Sequence, residues 1–190
     1  NTKYSYEVLM IDDGSSDNSW NEILTLKTEH PVILKGVKLK KNYGQHNAIM
    51  CGFSIAQGKF LITMDDDCQN SPKYIVELCN EVNKGFDVCY ANYLTKKHNI
   101  LRILGSKINN LFVTLLFNKP LSLSLTSFRC MSYDIKEEII KNKSPSVYLD
   151  GLILSITRNI SKISVTHNKR KSGASNYTFL KLLCLSTLII

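Results

Sequence analysis

Three consecutive carboxylates and an amide follow a short apolar run in the first half of the chain. The run at 60–64 is typical of a buried strand, and Asp65, Asp66, Asp67 and Gln69 come directly after it. Adjacent acids repel one another unless a cation or hydrogen-bond donors balance them. Carboxylate oxygens suit Mg²⁺ or Mn²⁺, which are often held together with the phosphates of a nucleotide. The pattern therefore indicates a divalent-cation site or, alternatively, a solvated acidic turn ahead of a helix.

A second acidic turn follows the apolar run at 6–11. Its residues are Asp12, Asp13, Gly14 and Ser15. Gly and Asp favour a bend, and Ser or Asp can cap the helix that follows. Carboxylates that leave a strand can also accept hydrogen bonds from a ribose or a base. In isolation the segment is typical of a plain turn, and a nucleotide contact is the alternative.

Basic residues exceed acidic ones, and a basic loop follows the last predicted strand. The net charge is +8, and residues 167–177 include His167, Arg170 and Lys171. Such an excess predicts an anionic partner, which could be nucleic acid, nucleotide phosphate or a membrane surface. Nucleic acid is disfavoured, because no recognition motif is present and aromatic residues are not interleaved with the basic ones.

The segments that must position these groups alternate between strand and helix patterns. Strands are predicted at 6–11, 32–39, 60–64, 86–91, 123–132 and 162–166, and helices at 46–57, 72–85, 100–117, 134–141 and 149–157. This order predicts an α/β fold with a largely parallel sheet and helices on both faces. Ligands of such sheets bind at the carboxyl ends of strands, where both acidic turns stand. The apolar stripe of the helix at 100–117 favours core packing over a membrane surface.

Composition adds limits on compartment and size. The 190 residues fit one domain, and the six cysteines show neither a Cys-x-x-Cys motif nor a paired histidine spacing. We therefore expect reduced, buried thiols in a cytosolic compartment. The apolar segment 179–190 is shorter than the roughly 20 residues that span a bilayer.

In combination, the motifs resemble the inverting family 2 nucleotide-sugar glycosyltransferases. The segments that carry the resemblance are 8–16, 42–52, 64–72, 127–129 and the closing pattern of Arg170, Gly173, Ser175 and Tyr177. The likeness is strongest to the branch that loads a sugar onto dolichol or undecaprenyl phosphate. It implies a single GT-A nucleotide-binding domain over residues 1–178, and residues 179–190 would begin a membrane-associated segment. The chain starts at what should be the second strand, so we expect the first strand to be missing.

The resemblance also implies a reaction. A hexose would pass with inversion from a UDP- or GDP-sugar to a polyprenyl phosphate, at the cytoplasmic face of the membrane and with Mg²⁺ or Mn²⁺. The implied metal ligands are Asp65, Asp67 and Gln69. The implied donor contacts are Asp12, Asp13, Ser15, Asp65, Asp66, His167, Arg170 and Lys171. Asp67, Arg170 and Asp150 are the implied catalytic residues.

The acceptor could be a polyprenyl phosphate or a sugar hydroxyl, and the two require different catalytic residues. A polyprenyl phosphate is already an anion, whereas a sugar hydroxyl needs a carboxylate to take its proton. Asp150 lies at the start of a predicted helix, where it could be that base or a helix cap. Ser127 stands where the polyprenyl branch usually has Asp. A hydroxyl-directed transferase of polysaccharide synthesis, a non-catalytic nucleotide-binding relative and an Asp-x-Asp phosphatase remain as alternatives.

Overall fold

The elements of the chain follow the predicted alternation of strands and helices. A computed structural model describes residues 5–93, 114, 123–145 and 147–166. The strands are β1 (Val8–Asp12), β2 (Leu34–Lys38), β3 (Phe60–Thr63), β4 (Val88–Tyr93), β5 (Arg129–Ser132) and β6 (Ile160–Val165). The helices are α1 (Ser19–Glu29), α2 (Gln45–Ile55), α3 (Ile75–Asn83), α4 (Tyr133–Ile140) and α5 (Leu149–Ile156), and a 3₁₀ turn, Pro72–Tyr74, precedes α3.

The strands form two sheets of different size. β1 and β2 pair in parallel, and the second sheet has the order β3-β5-β4-β6. Within it, β5 runs antiparallel to both β3 and β4, whereas β4 and β6 are parallel. The prediction of a largely parallel sheet is therefore wrong, and the sheet is mixed. The apolar pattern of a buried strand does not encode its direction, because both faces are covered whichever way the strand runs.

The start of the fold also differs from the expectation. The first strand that the structure describes, β1, is paired with β2 along all five of its residues. The prediction that the domain lacks its first strand is therefore not confirmed.

The core lies on both faces of the four-stranded sheet. Along β4, Val88 and Tyr90 point to one face and Cys89 and Ala91 to the other, and all four are fully buried. One face packs against side chains of α2, α4 and α5, and the other packs against α3. The prediction of helices on both faces is confirmed. β4 is an interior strand, paired with β5 on one side and β6 on the other.

Several predicted features are shorter or lie elsewhere. The strand predicted at 123–132 is limited to the four residues of β5. The segments 100–117, 167–177 and 179–190 fall outside the described residues, apart from position 114. None of the described helices is long and apolar enough to cross a membrane.

The described cysteines are free thiols, but they are not uniformly buried. Cys89 and Cys130 are buried as predicted, whereas Cys68 is exposed. Burial raises the pKa of the Cys89 thiol to about 11. Cys184 falls outside the described residues.

Candidate functional site

The first acidic turn contains a buried carboxylate oxygen that lacks a partner. Asp12 is the last residue of β1 and is only 4% exposed. Its Oδ1 accepts a hydrogen bond from the Ser15 amide at 2.9 Å. Its Oδ2 is buried and has no hydrogen-bond partner in the part of the chain that the structure describes. Because a buried acceptor is costly to leave unpaired, this oxygen suits a donor group on a ligand.

Asp13 joins the first acidic turn to the segment that leads into α2. Its two carboxylate oxygens accept the backbone N–H groups of Tyr43 at 2.7 Å and Gly44 at 2.8 Å. The turn requires glycine at position 14, where φ is +71° and an added Cβ would lie 2.5 Å from the carbonyl carbon of Lys41. The predicted donor contact Asp13 therefore holds two chain segments together.

The second acidic turn begins with a carboxylate held on both oxygens. Gln45, the first residue of α2, donates its Nε2 to Asp65 Oδ1 at 2.8 Å. The hydroxyl of Ser127 donates to Asp65 Oδ2 at 2.5 Å. The segment from Tyr43 to Gln45 therefore contacts both acidic turns and links them.

The rest of the second acidic turn brings the predicted metal ligands into one loop. Asp67 Oδ1 accepts the backbone N–H of Gln69 at 3.1 Å, while the side chain of Asp66 is exposed. Cys68, between Asp67 and Gln69, has a φ of 61°, and this positive value turns the chain sharply. The carboxylates of Asp65 and Asp67 also act on Tyr93. Burial, with these two charges, raises the pKa of its hydroxyl to about 12.

The donor chemistry of this loop fits a hard divalent cation. Asp65, Asp67 and Gln69 offer carboxylate and amide oxygens, the ligands that Mg²⁺ and Mn²⁺ prefer. Within the described residues, no three His, Cys, Asp or Glu side chains gather closely enough to hold a metal by themselves. An ion here would need further oxygens, and nucleotide phosphates are the usual source.

Asp150 is engaged in a buried ion pair. It lies in the first turn of α5, and its Oδ1 accepts both the guanidinium of Arg129 and the hydroxyl of Tyr90, the latter at 2.8 Å. Arg129 is 1% exposed and its Nε has no partner among the described residues. Burial opposes the charge of Arg129, but Asp150 and Tyr90 together outweigh it, and the pKa of the guanidinium is raised. The N-cap of α5 is Tyr148, so of the two alternatives for Asp150 the structure does not support that of a helix cap.

His46 lies beside this ion pair. It is the second residue of α2, and its ring meets that of Tyr148 edge-on, with the centroids 5.8 Å apart. Burial lowers the pKa of His46, with Arg129 acting in the same direction and Asp150 opposing both. Its Nδ1 is buried and has no hydrogen-bond partner among the described residues. Burial therefore favours the neutral form of the His46 imidazole.

The structure brings together some predicted site residues and leaves others aside. The two acidic turns are linked through α2, whereas Asp150 belongs to the ion-pair cluster. His167, Arg170 and Lys171 fall outside the described residues. Sequence reasoning assigned no role to Gln45, His46, Tyr90, Tyr93 or Arg129. Gln45 and Arg129 belong to segments that carry the family resemblance, 42–52 and 127–129, so the sequence offered a signal for them. Nothing in the sequence distinguished Tyr90 from a core tyrosine.

Comparison with known proteins gives consistent matches. The sequence model described as "Glycosyl transferase family 2" matches residues 1–142. The undecaprenyl-phosphate 4-deoxy-4-formamido-L-arabinose transferase of Photorhabdus laumondii is 35% identical over 185 residues, which cover 95% of this chain and 55% of that protein. The transferase of the same name from Shewanella sediminis is 33% identical over 184 residues, covering 95% and 54%. The chain thus spans about half the length of the curated relatives it matches.

Solved structures match the fold at low sequence identity. The crystal structure of glucosyl-3-phosphoglycerate synthase from Mycobacterium tuberculosis has a TM-score of 0.66 at 15% identity, covering 94% of this chain and 65% of that one. A structure of the same synthase in complex with Mn²⁺ and UDP-glucose has a TM-score of 0.65 at 14% identity, covering 94% and 64%. At these identities the likeness establishes the fold alone.

Proposed function

Because the chain belongs to glycosyl transferase family 2, we propose that it binds a nucleoside-diphosphate sugar and transfers the sugar to a polyprenyl phosphate. The two acidic turns are the donor site, and the acceptor is the phosphate of a membrane lipid. The engagement of Asp150 by Arg129 and Tyr90 is the observation that carries the choice of acceptor.

The donor is bound between the acidic turns. The buried Oδ2 of Asp12, which has no hydrogen bond from any residue that the structure describes, accepts an N–H of the base or a hydroxyl of the ribose. Asp65, Asp67 and Gln69 would hold Mg²⁺ or Mn²⁺, which, when bound, neutralises charge on the diphosphate leaving group. The exposed Asp66 contributes charge to the same loop.

A phosphate acceptor requires no general base. Its oxygen is already anionic, so it attacks the sugar carbon without losing a proton. A sugar hydroxyl would need a carboxylate with a lone pair directed at the substrate. Asp150 Oδ1 instead accepts from Arg129 and Tyr90, and Asp150 is the counter-ion of the buried Arg129. We therefore assign Asp150 to the support of Arg129, and the inverting transfer proceeds from the phosphate itself.

The names of the curated relatives bear on the sugar and the location. They specify a substituted L-arabinose, which is a pentose, so they do not support the prediction of a hexosyltransferase. We propose a pentose donor and undecaprenyl phosphate as the acceptor. A lipid carrier places the reaction at the membrane surface, and the cytoplasmic face is where nucleotide sugars are available.

The test uses the full-length gene product in membranes, supplied with labelled UDP- and GDP-linked pentoses and hexoses and with Mn²⁺. We expect label in the solvent-extractable lipid, its loss in Asp67→Asn, and its retention in Glu138→Gln. Glu138 is a matched control, since it is an exposed acid whose exposed partner is Lys141. Label found only in polymer would show that the acceptor is a sugar hydroxyl and would overturn the lipid acceptor. No incorporation of label from any donor would overturn the whole proposal.

A further inference from the structure

We propose that Gln45 and Ser127 are positioning residues that hold the Asp65 carboxylate in its donor-binding orientation. This inference rests on the proposed function, because it assumes that Asp65 meets the nucleotide-sugar donor. Neither residue was assigned a role by sequence reasoning. In the structure they act on the same side chain from different parts of the fold.

Gln45 and Ser127 each donate a hydrogen bond to a different oxygen of the Asp65 carboxylate. Gln45 Nε2 lies 2.8 Å from Oδ1, and Ser127 Oγ lies 2.5 Å from Oδ2. The terminal torsion of an aspartate side chain is soft, so an unrestrained Asp65 would sample many orientations. A donor on each oxygen removes that freedom. Ordering a side chain on binding costs free energy. A carboxylate that is already held in place therefore binds the nucleotide sugar more tightly.

Ser127 is itself held in place by hydrogen bonds of its own segment. The carbonyl oxygen of Ser127 accepts the hydroxyl of Thr63 at 2.5 Å, and Thr63 is the last residue of the strand that leads to Asp65. Next to Ser127, the hydroxyl of Thr126 donates to the carbonyl oxygen of Ala91 in the central strand β4 at 2.9 Å. Ser127 is therefore bound to β3 directly, and its neighbour Thr126 is bound to β4.

Gln45 is anchored through the other acidic turn. The backbone N–H groups of Tyr43 and Gly44, immediately before it, are bound by the carboxylate of Asp13. A contact path therefore runs from Asp13 through the start of α2 to Asp65. The arrangement couples the geometry of the two halves of the donor site.

The chemistry of the hydroxyl accounts for serine at position 127, where aspartate was expected. A carboxylate at this distance from Asp65 would repel it unless a proton or a cation lay between them. A hydroxyl donates a hydrogen bond instead, so it orients Asp65 with no added charge. Ser127 therefore orients the Asp65 carboxylate through its hydroxyl.

The experiment measures nucleotide affinity rather than turnover. UDP and GDP are titrated in the presence of Mn²⁺ into the purified full-length gene product by isothermal titration calorimetry, with folding checked by circular dichroism. We expect Ser127→Ala and Gln45→Ala each to weaken binding by about tenfold, the effect of losing one hydrogen bond to a charged group. Ser127→Thr keeps the hydroxyl and should restore the affinity.

Asn47→Ala is the matched control for Gln45. Asn47 is also an amide in the first turn of α2, but its Nδ2 donates to the carbonyl oxygens of Tyr43 and Pro145. It should bind nucleotide within about twofold of the unaltered chain.

The outcomes separate the two proposals. If the unaltered chain binds neither nucleotide, the proposed function fails and this inference fails with it. If that chain binds while Ser127→Ala and Gln45→Ala bind equally well, the positioning role is overturned and the proposed function stands. Equal weakening by Asn47→Ala and Gln45→Ala would assign the effect to α2 as a whole and would also overturn it.

Discussion

Replacing Asp150 by Asn tests the buried ion pair, because it keeps the shape of the side chain and removes its charge. Arg129 is 1% exposed, so after the substitution its guanidinium would remain buried without a counter-ion. Tyr90 could still donate to the amide oxygen at position 150. The perturbation is thus confined to the charge that opposes Arg129.

The size of the effect follows from burial. Removing one partner of a buried ion pair costs about 3 to 5 kcal/mol of the free energy of unfolding. The side chain of Asp150 is 14% exposed, so water can reach it in part, and we take the lower value. A loss of about 3 kcal/mol lowers the unfolding midpoint of a protein of this size by roughly 6 to 12 °C.

Urea unfolding followed by circular dichroism measures this loss. The control is Glu138→Gln, whose ion pair with Lys141 has both side chains more than half exposed and should contribute at most about 1 kcal/mol. The double variant Arg129→Met with Asp150→Asn removes the orphaned charge, so it should recover part of the stability lost in Asp150→Asn. A loss in Asp150→Asn no larger than that of Glu138→Gln would refute this reasoning.

The same variant bears on the acceptor. If Asp150 supports Arg129 and is not a base, the folded Asp150→Asn protein should still transfer label to lipid. Complete loss of transfer in fully folded protein would contradict that assignment.

Three further predictions concern the acidic turn and the imidazole. Gly14→Ala should destabilise the fold more than Gly85→Ala does in urea unfolding. Both glycines have positive φ. An added Cβ at Gly14 would meet backbone within 3 Å, whereas at Gly85 no atom of the described residues lies within 4 Å of it. Asp12→Asn should weaken UDP or GDP binding by at least about tenfold in calorimetry, while the Ser15 hydrogen bond and the folded state persist. Burial lowers the pKa of His46, so the unfolded chain binds its proton at higher pH than the native state does. The free energy of unfolding should therefore fall as the pH drops below about 6.5, and His46→Phe should reduce that fall; an unchanged pH dependence would contradict the burial argument.

Local patterns were sufficient to predict the elements and the two acidic turns. The apolar run at 60–64 became β3, and the run at 6–11 became β1. Gly14 and the acids around it predicted a turn, because bends need glycine and short polar side chains wherever they occur. Residues close in sequence, such as Asp67 and Gln69, lie in one loop because so few bonds separate them.

Relations between distant segments could not be predicted in the same way. The direction of β5 depends on the path taken after β4, and its apolar side chains suit either direction. The pairing of Asp150 with Arg129, 21 residues apart, depends on how α5 packs on the sheet.

The sequence by itself therefore determined the chemistry: carboxylates at strand ends, an excess of positive charge and the motifs of its family. These properties reside in residue types and short spacings, and any conformation of the chain keeps them. Only the tertiary structure decided which acids are available to a ligand. It leaves Asp12 Oδ2 without a partner among the described residues, holds Asp65 between Gln45 and Ser127, and pairs Asp150 with Arg129. Identical carboxyl groups differ in role because burial and neighbouring donors, which come from other elements, set what each oxygen can bind.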